Sequence, residues 1–515
     1  MVKSWRARDR VTILSPATAA LWAAMLMVAV PGIARAQSAS KVIEKYVTAI
    51  GGKRAVEKTV STDVSGTVTS ADGRSGVFTL RTARPRLYYV SMSWGDSRWS
   101  AGFNGRAAWQ DDNIDGVRTL YGAPASRIRA EATFAATHLL MPEKLTQMSV
   151  TGQDQLRGRR VVVMVAISAD GMKRTLSFDA ESSLLVKDEQ QTDDGPEERF
   201  FEDYRPVDQV LEPHRIEWRR NGETFRIAVQ RITRNSPGDG RVFDAPVRTA
   251  EPPLDLDVVL SAAGRNEQRA DDLRTSYAYV QTATHGSVDP QGQVAPIEGR
   301  TYEVFHLGGR AVARLLKKEG GEALSEDEQR REDERVTTIV RDFERRRLSG
   351  QPPVQPPRAS SGFVIVWSPV WGVDWLSAYR RMSEFSQLRR ERLQGRAVLV
   401  VEFQPKHGAS SKSDFEQQIG NVAGTLWIDE ASQYVIRLES YFVDEFNRNV
   451  EGSSLRVERT LVNEEIWLPA RYEMNLRRSY PFGHLSHDIG TVEYRDYKKF
   501  TVDTDVKVTL PDAGR

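Results

Sequence analysis

The chain has no cysteine among its 515 residues, which excludes disulfide staples, thiolate nucleophiles and thiolate metal sites. The same absence excludes anchoring through an acylated cysteine. Histidine is scarce, with 7 copies. Only His484 and His487 are close neighbours, and on a strand an i, i+3 pair faces opposite sides, so they make a poor zinc pair. No H-x-x-x-H, G-x-S-x-G or glycine-rich phosphate loop occurs. Bases and acids nearly balance at 72 and 70, leaving no single-sign field to attract nucleic acid. Beyond residue 36 no apolar run is long enough to span a bilayer.

What is present begins with a leader. Lys3, Arg6, Arg8 and Arg10 precede an apolar stretch from Ala17 to Val30 and then Ala34-Arg35-Ala36, the layout of a secretory signal with an A-x-A cleavage site. The mature chain is expected to start at Gln37, soluble and periplasmic. The leader holds five bases (Lys3, Arg6, Arg8, Arg10, Arg35) and one acid (Asp9), so its removal takes the formal charge of +2 down by four, to −2.

The mature chain reads as built twice. Thr175-Leu176-Ser177-Phe178-Asp179 and Thr425-Leu426-Trp427-Ile428-Asp429 each end an alternating strand at Asp, and after four turn-forming residues a second strand leaves. That is a β-hairpin pattern, in which Asp caps its own turn. Upstream, Gly158-Arg159-Arg160-Val161-Val162-Val163 matches Gly395-Arg396-Ala397-Val398-Leu399-Val400. Downstream, Val210-Leu211-Glu212-Pro213 matches Ile466-Trp467-Leu468-Pro469. The expected organisation is a signal at 1–36, one domain at 37–250 and a second, divergent copy at 251–515, both mainly β with some helix. The recurrence of Asp179 and Asp429 is assigned to turn chemistry, not to a pair of catalytic acids.

Within the first domain, Val42, Ile43, Tyr46, Val47 and Ile50 fall on one helical face that Gly51-Gly52 terminates. Short alternating strands follow, among them Leu87 to Met92 and Trp99 to Phe103. A helix is expected from Ala123 to Met141, stopped by Pro142, with Ile128, Ala132, Ala135 and Leu139 in one stripe and Phe134, Leu140 and Met141 off it. A helix apolar on more than one side needs two partners, either as a core helix or as a plug over a cavity. Asp111-Asp112-Asn113-Ile114-Asp115-Gly116 has half the pattern of a calcium loop, but Gly122 stands where the bidentate Glu should be, so it reads as an acidic hairpin turn. In the second domain Ser325 and Glu328 form a capping box for a charged, solvated helix over 325–347. The proline-rich stretch 349–362 reads as a mobile loop, and a further helix starts near Asp374.

Residues Ile43-Glu44-Lys45-Tyr46-Val47-Thr48-Ala49-Ile50-Gly51-Gly52-Lys53-Arg54-Ala55, Gly102-Phe103-Asn104-Gly105-Arg106-Ala107-Ala108-Trp109, Thr175 to Asp179 and Leu211-Glu212-Pro213-His214-Arg215 together resemble the outer-membrane lipoprotein-sorting (LolA-like) family, over most of residues 39–247. The resemblance implies tandem LolA/LolB-like, unclosed antiparallel β-barrels, whose concave apolar face lies under lid or plug helices and holds acyl chains in transit across the periplasm. The expected function is a binding or carrier protein for lipid or lipoprotein acyl chains. The alternative is a periplasmic regulatory sensor or envelope structural protein that binds a membrane-protein partner. Expected cavity or lid residues are Tyr89, Trp94, Trp99, Trp109, Phe134, Leu139 and Leu140. Partners would be lipid or acylated protein and a membrane-protein donor or acceptor, with no catalytic residue, metal or cofactor.

Overall fold

The computed structural model describes residues 38–499 apart from 138–144, 169–170, 193–194, 237, 248–253, 290–293, 296–297, 351–374 and 481–484. The leader, Leu139 and Leu140, and residues 351–362 of the proline-rich stretch lie outside the described residues.

The first half opens with α1 (Ala39–Ala49) and α2 (Lys53–Glu57). There follow β1 (Ser61–Ser70), β2 (Ser75–Ala83), β3 (Leu87–Trp94), β4 (Ser97–Phe103), β5 (Ala108–Asp112) and β6 (Gly116–Thr119). Helix α3 (Ala123–Thr137) separates these from β7 (Leu145–Leu156), β8 (Arg159–Ser168), β9 (Lys173–Asp179), β10 (Leu185–Thr192), β11 (Gly195–Val207), β12 (Val210–Arg220) and β13 (Glu223–Arg234). In space the strands run β6-β5-β4-β3-β2-β1-β13-β12-β11-β10-β9-β8-β7, an open antiparallel sheet joined where β1 pairs with β13.

The second half begins with α4 (Leu256–Arg274), β14 (Tyr277–Ser287), β15 (Glu298–Leu307) and β16 (Arg310–Lys317), then α5 (Glu326–Leu348) and α6 (Trp375–Met382). It continues with β17 (Ser383–Leu393), β18 (Arg396–Pro405), α7 (Asp414–Ile419), β19 (Val422–Asp429), β20 (Val435–Phe442), β21 (Ser454–Val462), β22 (Ile466–Ser479) and β23 (Leu485–Lys499). The order is β16-β15-β14-β23-β22-β21-β20-β19-β18-β17. Aligned from the β7 and β17 edges, the two orders match strand for strand: β7–β13 with β17–β23, then β1–β3 with β14–β16. Among the described residues strands β4–β6 have no counterpart in the second sheet. The expectation of a mainly β fold made of two unclosed antiparallel sheets holds.

Local chemistry explains the matched turns. Asp179 accepts from the backbone N–H of Ser182 at 2.8 Å, and Asp429 accepts from that of Ser432 at the same distance. One residue beyond, Ser183 and Gln433 take up left-handed φ of 61° and 56°. The acidic loop after β5 is likewise a hairpin turn, with Asp112 accepting from the N–H groups of Ile114 and Asp115. Helix α1 buries Val42, Ile43, Tyr46 and Val47 and stops at Gly51, where φ is 129° and a Cβ would sit 2.0 Å from the carbonyl oxygen of Gln209. Helix α5 carries the expected capping box, and of its residues only Val336 is buried. It covers the edge strand β16 through Glu332, which accepts from Leu315 N–H, and Asp333, which pairs with Arg314; a covered edge does not recruit stray strands. Helix α4 was not foreseen from sequence. Its apolar stripe is interrupted by Glu267, which is buried rather than solvated. Among the described residues no helix is long and apolar enough to cross a membrane.

Helix α3 lies between the two halves. One side packs Ala125, Ile128 and Ala132 on the concave face of the first sheet with Val64, Val90 and Phe225. The other side meets the second sheet: Arg129 pairs with Glu439 at 3.3 Å and lies 4.8 Å over the Tyr441 ring, while Arg456 donates to Ser126 at 2.6 Å. Around it Tyr441 donates to the carbonyl of Gly105, Arg106 pairs with Glu402, and Tyr121 packs edge-on against Trp427. Helix α3 therefore meets the first sheet with its apolar stripe and the second with Arg129 and Ser126, while Phe134, off the stripe, also turns to the first half.

Candidate ligand cavity of the first half-barrel

Strand register builds the cavity floor in rows. Thr62 of β1 stands opposite Thr82 of β2, which stands opposite Tyr88 of β3; the next row is Val64, Leu80 and Val90. Cross-strand partners share a face of the sheet, and this face is the concave one. Phe134 and Ala135 of α3 and Tyr46 of α1 complete the enclosure, with Phe201, Tyr204, Ile216 and Trp218 from β11 and β12. The cavity measures about 180 Å³.

Its polar end is an ion network. Glu131 of α3 accepts from Arg174 at 2.5 Å and from Arg199 at 2.7 and 3.1 Å, and Gln190 also donates to it. Arg174 turns its other side to Asp188 at 2.6 Å, and Arg199 to Glu197 at 2.7 Å. Trp218 donates its indole N–H to Glu197 at 2.8 Å. The guanidinium of Arg174 lies 4.2 Å over Phe134, and that of Arg199 lies 4.6 Å over Trp218. Burial works against ionisation of Glu131, but Arg174 and Arg199 outweigh it and hold the carboxyl well below its ordinary range. At Asp188 burial wins over Arg174, and the carboxyl is pushed up. Helix α3 is thus tied by charge to both sheets, through Glu131 to the first and Arg129 to the second.

Of the expected cavity residues, Phe134 lines the cavity. Trp94 and Trp99 pack onto the core beside it, against Phe225 at 4.9 Å and Trp218 at 5.8 Å, without forming its wall. Tyr89 and Trp109 require correction. They sit in one cross-strand row with Gly102 on the opposite face, where Trp109 fills the space over Gly102 and donates to the carbonyl of Phe243 at 2.7 Å. The inward tyrosine is Tyr88. Leu139 and Leu140 lie outside the described residues. The network of Glu131, Arg174, Asp188 and Arg199 was not foreseen. Its signal was a polar residue at inward parity, since Arg174 shares a strand face with Leu176 and Phe178.

The equivalent face of the second sheet is occupied by its own helices. Val259 and Ala263 of α4 and Trp375, Leu376, Tyr379 and Met382 of α6 pack on Leu399, Val401, Phe403 and Leu426. Glu267 of α4 binds Arg459 of β21 through both oxygens, at 2.7 and 2.8 Å, and accepts from the Trp375 indole at 2.9 Å.

The chain is of the class formed by open antiparallel half-barrels with helices across the concave face. No protein-family model and no curated protein matches it. Among solved structures it is similar to the LolA superfamily protein NE2245 from Nitrosomonas europaea, with 12% identity over 40% of this chain and 98% of that one, at a TM-score of 0.29. A DUF1329 family protein from Desulfovibrio piger shows 9% identity over 40% and 98%, also at 0.29. The Pseudomonas aeruginosa MucA/MucB complex shows 8% identity over 89% of this chain and 99% of that one, at 0.17.

Proposed function

We propose that this is a periplasmic binding or carrier protein that holds an acyl chain of a lipid or acylated protein in the first half-barrel, beneath α3. The largely apolar, partly open cavity carries the reading: rows of Val64, Leu80 and Val90 below and Phe134 above. Its size sets what the closed form can take. An apolar cavity of about 150 Å³ accommodates benzene, so about 180 Å³ holds a short run of methylenes. At about 0.8 kcal/mol each, such a run binds weakly, and a full chain requires α3 to move. The second half-barrel, its concave face filled, serves as the cover that presses on α3. Loading and release then follow from separation of the two halves, driven by a membrane donor or acceptor with higher affinity for the open form.

Native mass spectrometry of protein purified from a bacterial envelope is expected to show one lipid per chain. Delipidated protein is expected to take up a fluorescent alkyl probe, and Leu80→Trp, which fills the floor, to weaken uptake at least tenfold. Delipidated protein that takes up no acyl ligand overturns the proposal. A lipid-free protein that holds a membrane protein stoichiometrically would replace it with an envelope regulator.

A further inference from the structure

Four residues that bear hydroxyls line the cavity. Thr62, Thr82, Tyr88 and Tyr46 are 7, 7, 4 and 7% exposed, all four line the cavity, and none has a hydrogen-bond partner among the described residues. Three of them stand side by side in register across β1, β2 and β3. Tyr204, by contrast, spends its hydroxyl on the carbonyl of Leu185 at 2.7 Å. These oxygens open into the cavity instead of being sealed in the core, so the row offers hydrogen-bonding groups to oxygen atoms on an occupant.

The charges on the wall define which oxygens. Glu131, Arg199 and Glu212 are the charged groups lining the cavity, and each is already neutralised. Glu131 is held by Arg174 and Arg199, Arg199 also by Glu197, and Glu212 by Arg234. An ionised head group entering here would lose its water and find no free counter-charge. We propose that Thr62, Thr82, Tyr88 and Tyr46 form a polar subsite for an uncharged oxygen, an ester carbonyl or a hydroxyl, at the head of an alkyl chain lying along Val64, Leu80 and Val90. The subsite selects esterified chains over free fatty carboxylates. It rests on the reading that the cavity holds an acyl chain.

The test uses the delipidated mature chain and displacement of N-phenyl-1-naphthylamine at pH 7 by a methyl ester, an alkane and a carboxylate of one chain length. The ester is expected to compete best, by about five- to tenfold for each hydrogen bond gained. Thr82→Val and Tyr88→Phe, each close to isosteric, are expected to lower the ester-to-alkane affinity ratio by about that factor. An equal or tighter carboxylate overturns the subsite, as does an ester ratio unchanged in both variants, the result for hydroxyls that only hold water. A probe that does not bind at all overturns the acyl-cavity reading itself.

Discussion

Replacing Glu131 by glutamine probes the tie between α3 and the first sheet. Glutamine keeps the shape, but its NH2 group must face Arg174, Arg199 or the amide of Gln190, all of them donors to the carboxylate. Breaking a buried ion pair by removing one partner costs about 3–5 kcal/mol. Here Arg174 keeps Asp188 and Arg199 keeps Glu197, so neither guanidinium is orphaned and that range is a ceiling. A lost charge-assisted hydrogen bond is worth about 1.5–3 kcal/mol, and we expect Glu131→Gln to destabilise by about 2–3 kcal/mol in urea unfolding followed by tryptophan fluorescence. The same variant should speed alkyl-probe entry, because the helix over the cavity loosens. Arg157→Gln is the control: its pairs with Glu202 and Glu217 are on the surface, with Arg157 40% exposed, and should contribute less than about 1 kcal/mol. If Glu131→Gln is no more destabilising than the control and probe entry is unchanged, the ion network does not hold α3.

Two further outcomes are expected. His487 donates from Nε2 to Asn475 Oδ1 at 2.8 Å, and burial, with Arg477 nearby, pushes its pKa down to about 4. The folded state therefore binds fewer protons than the unfolded one between about 4 and the ordinary 6.5. Its contribution to stability is full above pH 6.5 and is lost as pH falls to about 4, and His487→Gln should flatten that part of a melting-temperature profile. Gly102→Ala would place a methyl 2.6 Å from the Trp109 ring; overpacking of this kind costs about 1–3 kcal/mol, and a calorimetric melt unchanged from the native chain would contradict the placement of Trp109 over Gly102.

The duplicated sheet was legible because its hairpins are set by local chemistry. Asp179 and Asp429 make their turns with the next few residues, as the Ser325 and Glu328 capping box does for α5. The cavity was less legible because it depends on parity. Leu87, Tyr88, Tyr89 and Val90 offer an apolar residue at every step, although Ser91 and Ser93, which share the parity of Tyr89, mark that face as outward. The ion network escaped because its members are far apart in the chain; Glu131 and Arg199 are 68 residues apart. One clue to the packing of the halves was in the repeat itself. Where the first copy has Gln191 and Lys173 exposed at outward positions, the second has Tyr441 and Ala423, both buried, and Ser177, itself buried, is replaced by Trp427. Replacement of exposed polar residues by buried apolar ones at outward parity records a second covered face.

Strands β4–β6, found among the described residues in the first copy only, bear on how these modules can associate. The contact joins unlike surfaces, the β4–β6 edge and α3 of one half against the convex face of the other. Such a head-to-tail contact between similar units can in principle repeat without end and produce fibres. Here the described surfaces of the two halves are not interchangeable. Among the described residues the second half carries no counterpart of β4–β6 to receive another convex face, and the convex face of the first half presents Phe200 under Arg157, Lys187 and Arg219 in place of bare aromatics. Divergence of the two copies thus leaves the described part of the second half without the receiving surface that such repetition would need.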